Sequence, residues 1–167
     1  GKSFDDLNGT KIYIGINSNN YASADDKKMV TTALASVKRG FIKANNTYVI
    51  PQGTLAENAG KNVAGGWWHK STYKNQMWLD GAYMGSALLA QLTQFYGTSG
   101  NVFGSKEADW NMVTKQLNIV WDMCWNSDHK LMYHAFDATA TAKATDNGTA
   151  TWYGLRSTKP YNFHSAA

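Results

Sequence analysis

Between Gly65 and Gly85 the chain reads GGWWHKSTYKNQMWLDGAYMG, and this run holds most of the groups that could do chemistry. His69, Lys70, Tyr73, Gln76 and Asp80 stand among three tryptophans, Trp67, Trp68 and Trp78. His69 and Lys70 offer donors for a carboxylate. The indoles offer apolar faces with one polar handle each, which suits stacking on a sugar ring. Asp80 is the only acid between Glu57 and Glu107. Flanked by Trp78, Leu79 and Tyr83, its carboxyl is poorly solvated if buried, and such desolvation favours the protonated form a general acid needs. Together these groups fit a pocket for an acidic, flat-faced ligand. A plainer arrangement fits the same residue types: Asp80 satisfying a helix end, His69 on a surface loop, and the tryptophans in the core. Residue types alone leave the two even.

The elements that must position these groups read as helices joined by long loops. Asp25 to Arg39 has Met29, Ala33 and Val37 at helical spacing with Val30 and Leu34 beside them, Ser23 as N-cap with Asp26 three residues on, and Gly40 as a stop. Asn75 to Tyr96 reads as a second helix, with Met84, Leu88, Leu92 and Phe95 at helical intervals. Asp109 to Trp125 reads as a third, with Trp110, Val113, Leu117, Val120 or Trp121, and Cys124 on one face. Lys11 to Ile16 is ambiguous, its β-branched content suggesting a strand. Thr139 to Ala167, rich in Ala, Thr, Asn and Gly, reads as loop.

Composition narrows the field. Apolar residues make up 43% of the 167 and charged residues 17%, enough for a globular core and unlike a disordered segment. The net charge of +4 is spread out, with no basic run longer than Lys27-Lys28 or Lys38-Arg39, so no nucleic-acid partner is expected. No apolar run approaches the ~18 residues of a membrane span, so no membrane partner is expected either. Cys124 is the single cysteine, which rules out an intrachain disulfide and suggests a buried thiol. No ligand spacing suggests a metal; His129 and His134 make a weak pair. Nothing at the start reads as a signal peptide, although Gly1 leaves export open.

The central motif resembles the signature of glycoside hydrolase family 105, the unsaturated rhamnogalacturonyl hydrolases, within the unsaturated glycuronyl hydrolases. Gly65-Gly66-Trp67-Trp68-His69-Lys70, then Tyr73, then Gln76-Met77-Trp78-Leu79-Asp80-Gly81, then Tyr83-Met84 follow the family pattern with spacing kept. Two weaker matches flank it in order. Phe4-Asp5-Asp6-Leu7 resembles a segment carrying a second site carboxylate, with Asp5 the better match and Asp6 the fallback. Leu131-Met132-Tyr133-His134-Ala135-Phe136-Asp137 resembles one carrying a site histidine. Under this resemblance Lys11 to Ile16 is a helix, while Asn45 to Ala64 and Gly97 to Ala108 are enlarged loops.

The resemblance implies an all-α fold, the (α/α)6 six-hairpin barrel. A closed toroid of about twelve helices needs more than about 200 residues at ordinary helix and loop lengths. Residues 1–167 are therefore expected to form one partial α/α-barrel catalytic domain, with N- and C-terminal portions of the barrel missing. The family's Trp-x-Arg segment, which helps bind the substrate carboxylate, is expected about where this chain stops.

The implied substrate is an oligosaccharide left by a polysaccharide lyase, with a 4,5-unsaturated uronic acid at its non-reducing end. Asp80 is the implied catalytic acid and then base. Asp5, His69, Lys70, Tyr73, Trp78 and His134 are the implied substrate-binding residues, with Trp67 and Trp68 as further lining unless they are core. The chemistry implies no cofactor and no metal. The resemblance suggests a bacterial enzyme, periplasmic or cytoplasmic, and leaves the aglycone, compartment and oligomeric state open. The alternatives are a non-catalytic carbohydrate-binding fragment and another α/α-toroid glycosidase or lyase.

Overall fold

A computed structural model describes residues 3–58, 60–128 and 130–139, with the backbone of 152–153 and 156–157; the side chains of 55 and 96–100 are outside the description. The described chain is mostly helical. Helices α1 (Phe4–Asn8) and α2 (Lys11–Ser18) lead into α3 (Ala24–Thr47), and α2 packs on α3. A short α4 (Leu55–Asn58) and a long loop follow. Strand β1 (Gln76–Trp78) then runs straight into α5 (Leu79–Gly81), a π turn (Ala82–Ser86) and α6 (Ala87–Gly100). Helix α7 (Lys106–Cys124) packs back on α6. Antiparallel strand pairs complete the description: β2 (Trp125–Asn126) with β3 (Leu131–Met132), β1 with β4 (Ala135–Asp137), and β5 (Trp152–Tyr153) with β6 (Arg156–Ser157).

Local sequence explains most of these boundaries. Ser23 caps α3 as expected: its hydroxyl accepts from Asp26 N at 3.1 Å while the Asp26 carboxylate accepts from Ser23 N at 3.0 Å. Gly40 does not stop the helix. It lies inside α3 where Leu7 of α1 crosses, and a Cβ there would stand 3.1 Å from Leu7 Cδ2, so its smallness serves close approach rather than termination. The buried stripe of α3 is Val30, Leu34, Val37, Phe41 and Ala44, whereas Met29 is 66% exposed. Lys11 to Ile16 is helical.

The second helix starts later than Asn75. Gln76, Met77 and Trp78 are taken by pairing with Asp137, Phe136 and Ala135, so helix begins only at Leu79. The extra residue of the π turn then breaks the helical phase between Met84 and Leu88. Leu88, Leu89 and Leu92 are buried and Phe95 is exposed. On α7 the buried stripe is Asp109, Val113, Gln116, Val120 and Met123 with Ile119 and Cys124, while Trp110, Leu117 and Trp121 face outward. Asp109 belongs inside because it satisfies Thr93 Oγ1 at 2.8 Å and the amides of Val102 and Phe103 at 2.9 and 2.8 Å. The stretch expected as loop from Asn45 to Ala64 holds the end of α3 and α4, and that from Gly97 to Ala108 holds the end of α6 and the start of α7. The tail expected as loop starts at the described Thr139 and contains the β5–β6 pair; the rest of it, like His129, lies outside the described residues.

Two apolar clusters result. The first joins Phe4, Leu7, Ile14, the α3 stripe, Trp67, Leu88, Leu89, Leu92 and Val113. The second joins Ile50, Val63, Met77, Ile119, Val120, Met123, Cys124 and Phe136. The motif segment is strung between them, with Trp67 sunk in the first and Met77 in the second. Among the described residues no helix is long and apolar enough to cross a membrane.

Candidate active site

The loop from Trp67 to Gln76 is anchored before it reaches the site. Trp67 stacks on Phe4 at 4.3 Å between ring centroids and meets Phe41 edge-on at 5.1 Å. Its amide donates to Gln116 Oε1 and its indole Nε1 to Asn45 Oδ1, at 2.9 and 2.8 Å. Trp67 is therefore core, not subsite lining. Trp68 packs on the second cluster beside Tyr48. Beyond these anchors the loop makes two consecutive turns, Tyr73 N to Lys70 O and Gln76 N to Tyr73 O, and closes with His69 N donating to Gln76 O at 2.9 Å. Asn75 takes φ 60° at the last corner, a left-handed conformation that asparagine tolerates better than most residues.

That closure stacks three rings. His69 lies parallel to Trp78 at 4.6 Å, Trp78 to Tyr73 at 5.0 Å, and His69 to Tyr73 at 5.7 Å. These distances describe an offset triad and not a column. His134 meets Trp78 edge-on at 4.9 Å. The β1–β4 pairing brings it there, with His134 O accepting from Leu79 N at 3.0 Å, one residue before Asp80. His69 also rests against the residue after Asp80: a Cβ on Gly81 would stand 3.5 Å from His69 Nδ1. Asp80 itself is half-buried, not sealed in an apolar pocket as its neighbours in sequence suggested.

His69 is 3% exposed, and its Nδ1 has no hydrogen-bond partner among the described residues. Burial pushes its pKa below the ordinary histidine value; Asp80 and Asp5 oppose the shift, and Lys70 and His134 reinforce it. Asp80, Lys70, Asp5 and His134 are thus all near enough to act electrostatically on this one imidazole. Lys70 Nζ sits 3.6 Å from Asp5, with both groups partly exposed, and 5.9 Å from the Tyr73 ring. Asp6 serves the helix cap: its carboxylate accepts from Ser3 N at 2.7 Å in the capping box of α1.

All the sequence-nominated groups therefore gather in one neighbourhood: Asp5, His69, Lys70, Tyr73, Trp78, Asp80 and His134. Gln76 stood among the chemistry-capable groups of the sequence without a role, and Asp137 was not singled out; together they brace Trp78. Gln76 Oε1 accepts from Trp78 Nε1 at 3.2 Å, and Gln76 Nε2 donates to Asp137 at 3.2 Å. Both residues stood inside the quoted motifs, Gln76 two positions from Trp78 and Asp137 three from His134. A cavity of about 570 Å³ between α1–α2 and α3 shares none of these residues. Among the described residues no cluster of His, Cys, Asp and Glu could hold a metal ion.

The helical scaffold thus presents the half-buried Asp80 beside His69, the Lys70–Asp5 pair and the stacked rings. The chain belongs to Glycosyl Hydrolase Family 88, which it matches over residues 5–154. A solved glycoside hydrolase from family 105 of C. acetobutylicum ATCC 824 is similar at 25% identity, with a TM-score of 0.59. That similarity covers 92% of this chain and 34% of the other, so the chain spans about a third of the length of that relative. The likeness gives the helical architecture its frame, an α/α toroid. No curated protein matches the chain.

Proposed function

We propose that the chain is a catalytic part of a hydrolase that acts on 4,5-unsaturated glycuronyl oligosaccharides, products of polysaccharide lyases such as unsaturated rhamnogalacturonan disaccharides. On this reading residues 1–167 are part of a larger toroid. The carrying observation is the convergence of Asp80, Asp5, Lys70 and His134 on the buried His69 beside the ring triad. Family membership and the likeness to a family 105 structure support it.

The chemistry is a hydration. Protonated Asp80 donates its proton to C4 of the double bond, and the positive character that develops at C5 is shared by the ring oxygen. Water adds at C5 as the Asp80 carboxylate takes back a proton, so one group serves as acid and then base. The hemiketal formed at C5 opens and releases the neighbouring sugar. Lys70 and His69 face the uronate carboxylate, Tyr73 and Trp78 hold the flat unsaturated ring, Asp5 takes sugar hydroxyls and His134 orients the substrate beside Trp78.

The test is loss of the ultraviolet absorbance of an unsaturated disaccharide. Removing a general acid costs roughly 10²–10⁴-fold in rate, so Asp80→Asn should lower the decay by that factor with the fold intact by circular dichroism. Decay at the parental rate in Asp80→Asn would overturn the assignment. Sugar binding without decay in the parent would favour a binding fragment whose chemistry needs the rest of the toroid.

A further inference from the structure

The π turn that follows Asp80 is held from outside its own helix. Lys11, the first residue of α2, sends its Nζ to the carbonyl oxygen of Tyr83 at 2.9 Å and places the same ammonium 3.5 Å from the centroid of the Tyr83 ring. Tyr83 lies inside the π turn, three residues past Asp80. A π turn is rare because its wide ladder is easily converted to ordinary α-helix, and it persists where surrounding contacts favour it. Here two faces are constrained. On the inner face Gly85 admits Trp67, since a Cβ at Gly85 would stand 2.8 Å from Trp67 Cε3. On the outer face Lys11 grips Tyr83.

We infer that Lys11 is a positioning residue for Asp80, acting through the carbonyl of Tyr83 to hold the π turn that sets the direction of the Asp80 carboxyl. The inference rests on the reading of Asp80 as the catalytic acid. Three features support the arrangement. Lys11 is joined to Asp5 by the short α1–α2 corner, so one N-terminal unit touches the site through Asp5 and Lys70 and its supporting turn through Lys11 and Tyr83. Helix α1 packs on the π turn directly. Burial pushes the Lys11 pKa down, so the ammonium is carried into a partly desolvated position to make its two contacts with Tyr83.

The experiment compares the parent chain with Lys11→Met and Lys11→Arg, using decay of an unsaturated disaccharide together with hydrogen exchange of backbone amides. Misplacing a reacting group by about 1 Å can cost 10²-fold, so Lys11→Met should lower kcat roughly 10- to 100-fold. KM should stay within about twofold, because the rings and Lys70 are untouched, and Lys11→Arg should recover most of the loss. Exchange at Ala82–Ser86 should quicken in Lys11→Met while that of α3 and α7 stays unchanged. An unaltered kcat in a folded Lys11→Met, or a rise in KM alone, would overturn the inference. If the parent itself shows no decay, the functional reading fails instead, and hydrogen exchange decides alone: unchanged protection of the π turn in Lys11→Met removes the clasp.

Discussion

His69 shows how burial sets the working state of a side chain. Sequence reasoning placed it either as a donor to a substrate carboxylate or on a surface loop; it is buried against Trp78, with its pKa lowered chiefly by desolvation. The neutral imidazole is therefore the form the fold favours. Above the unfolded value of 6.5 both states are neutral and the full stability is present. As pH falls below it, the unfolded chain takes up a proton that the folded chain resists, and stability drops toward the lowered folded pKa. Wild-type Tm should thus fall between about pH 7 and about pH 5 by more than that of His69→Phe, which keeps a flat ring and removes the titration. An equal fall in both would mean that other groups dominate. That the candidate groups lie near one another was legible, because a long motif held most of them in register. Which of Asp5 and Asp6 lies beside Lys70 was not, since it depends on which carboxylate the Ser3 cap consumes.

At the scale of elements, the informative departure is the helix that follows Trp78. Its apolar residues at Met84, Leu88, Leu92 and Phe95 suggested an unbroken α-helix from Asn75. A strand partner 57 residues later and a π turn both intervene, and neither leaves a mark in local periodicity. Helix α3 was more legible: its capping box is a local signal and is used as such. Its end was not, because Gly40 serves a crossing with Leu7 that only tertiary structure reveals. Gly85 offers the sharpest test. Trp67 and Phe4 are large rings in a packed cluster and cannot yield like the end of a flexible side chain. Gly85→Ala should cost about 1–3 kcal/mol by overpacking and should also lower activity, because strain falls on the π turn next to Asp80. Chemical denaturation would show it as a lowered midpoint; an unchanged midpoint would mean that the ring pair slides aside freely.

For the whole molecule, the site depends on two apolar clusters rather than one. Trp67 belongs to the first and Met77 to the second, and the chemistry-bearing loop hangs between them. Trp67→Ala should therefore act as a core deletion, costing about 3–5 kcal/mol and lowering thermal stability and turnover together. Trp78→Ala should instead weaken substrate binding with a smaller effect on Tm, since that ring packs chiefly within the site. Equal losses of stability in the two variants would contradict this division. Fold class was legible from the motif, whereas the assignment of individual tryptophans to core or site was not. All three indoles have similar local surroundings in sequence, and only their depth separates them.

The pairing of Gln76–Trp78 with Ala135–Asp137 also bears on how the chain comes off the ribosome. Synthesis at roughly 5–20 residues per second leaves the first of these strands without its partner for several seconds. Through that interval Met77 and Trp78 lie on an unpaired edge, the kind of surface that recruits chaperones or neighbouring nascent chains. Asp80, the proposed catalytic acid, adjoins this edge. A functional site can therefore form only after the histidine-bearing segment has emerged, and slowing translation upstream of Ala135 should raise the fraction of product lost to aggregation.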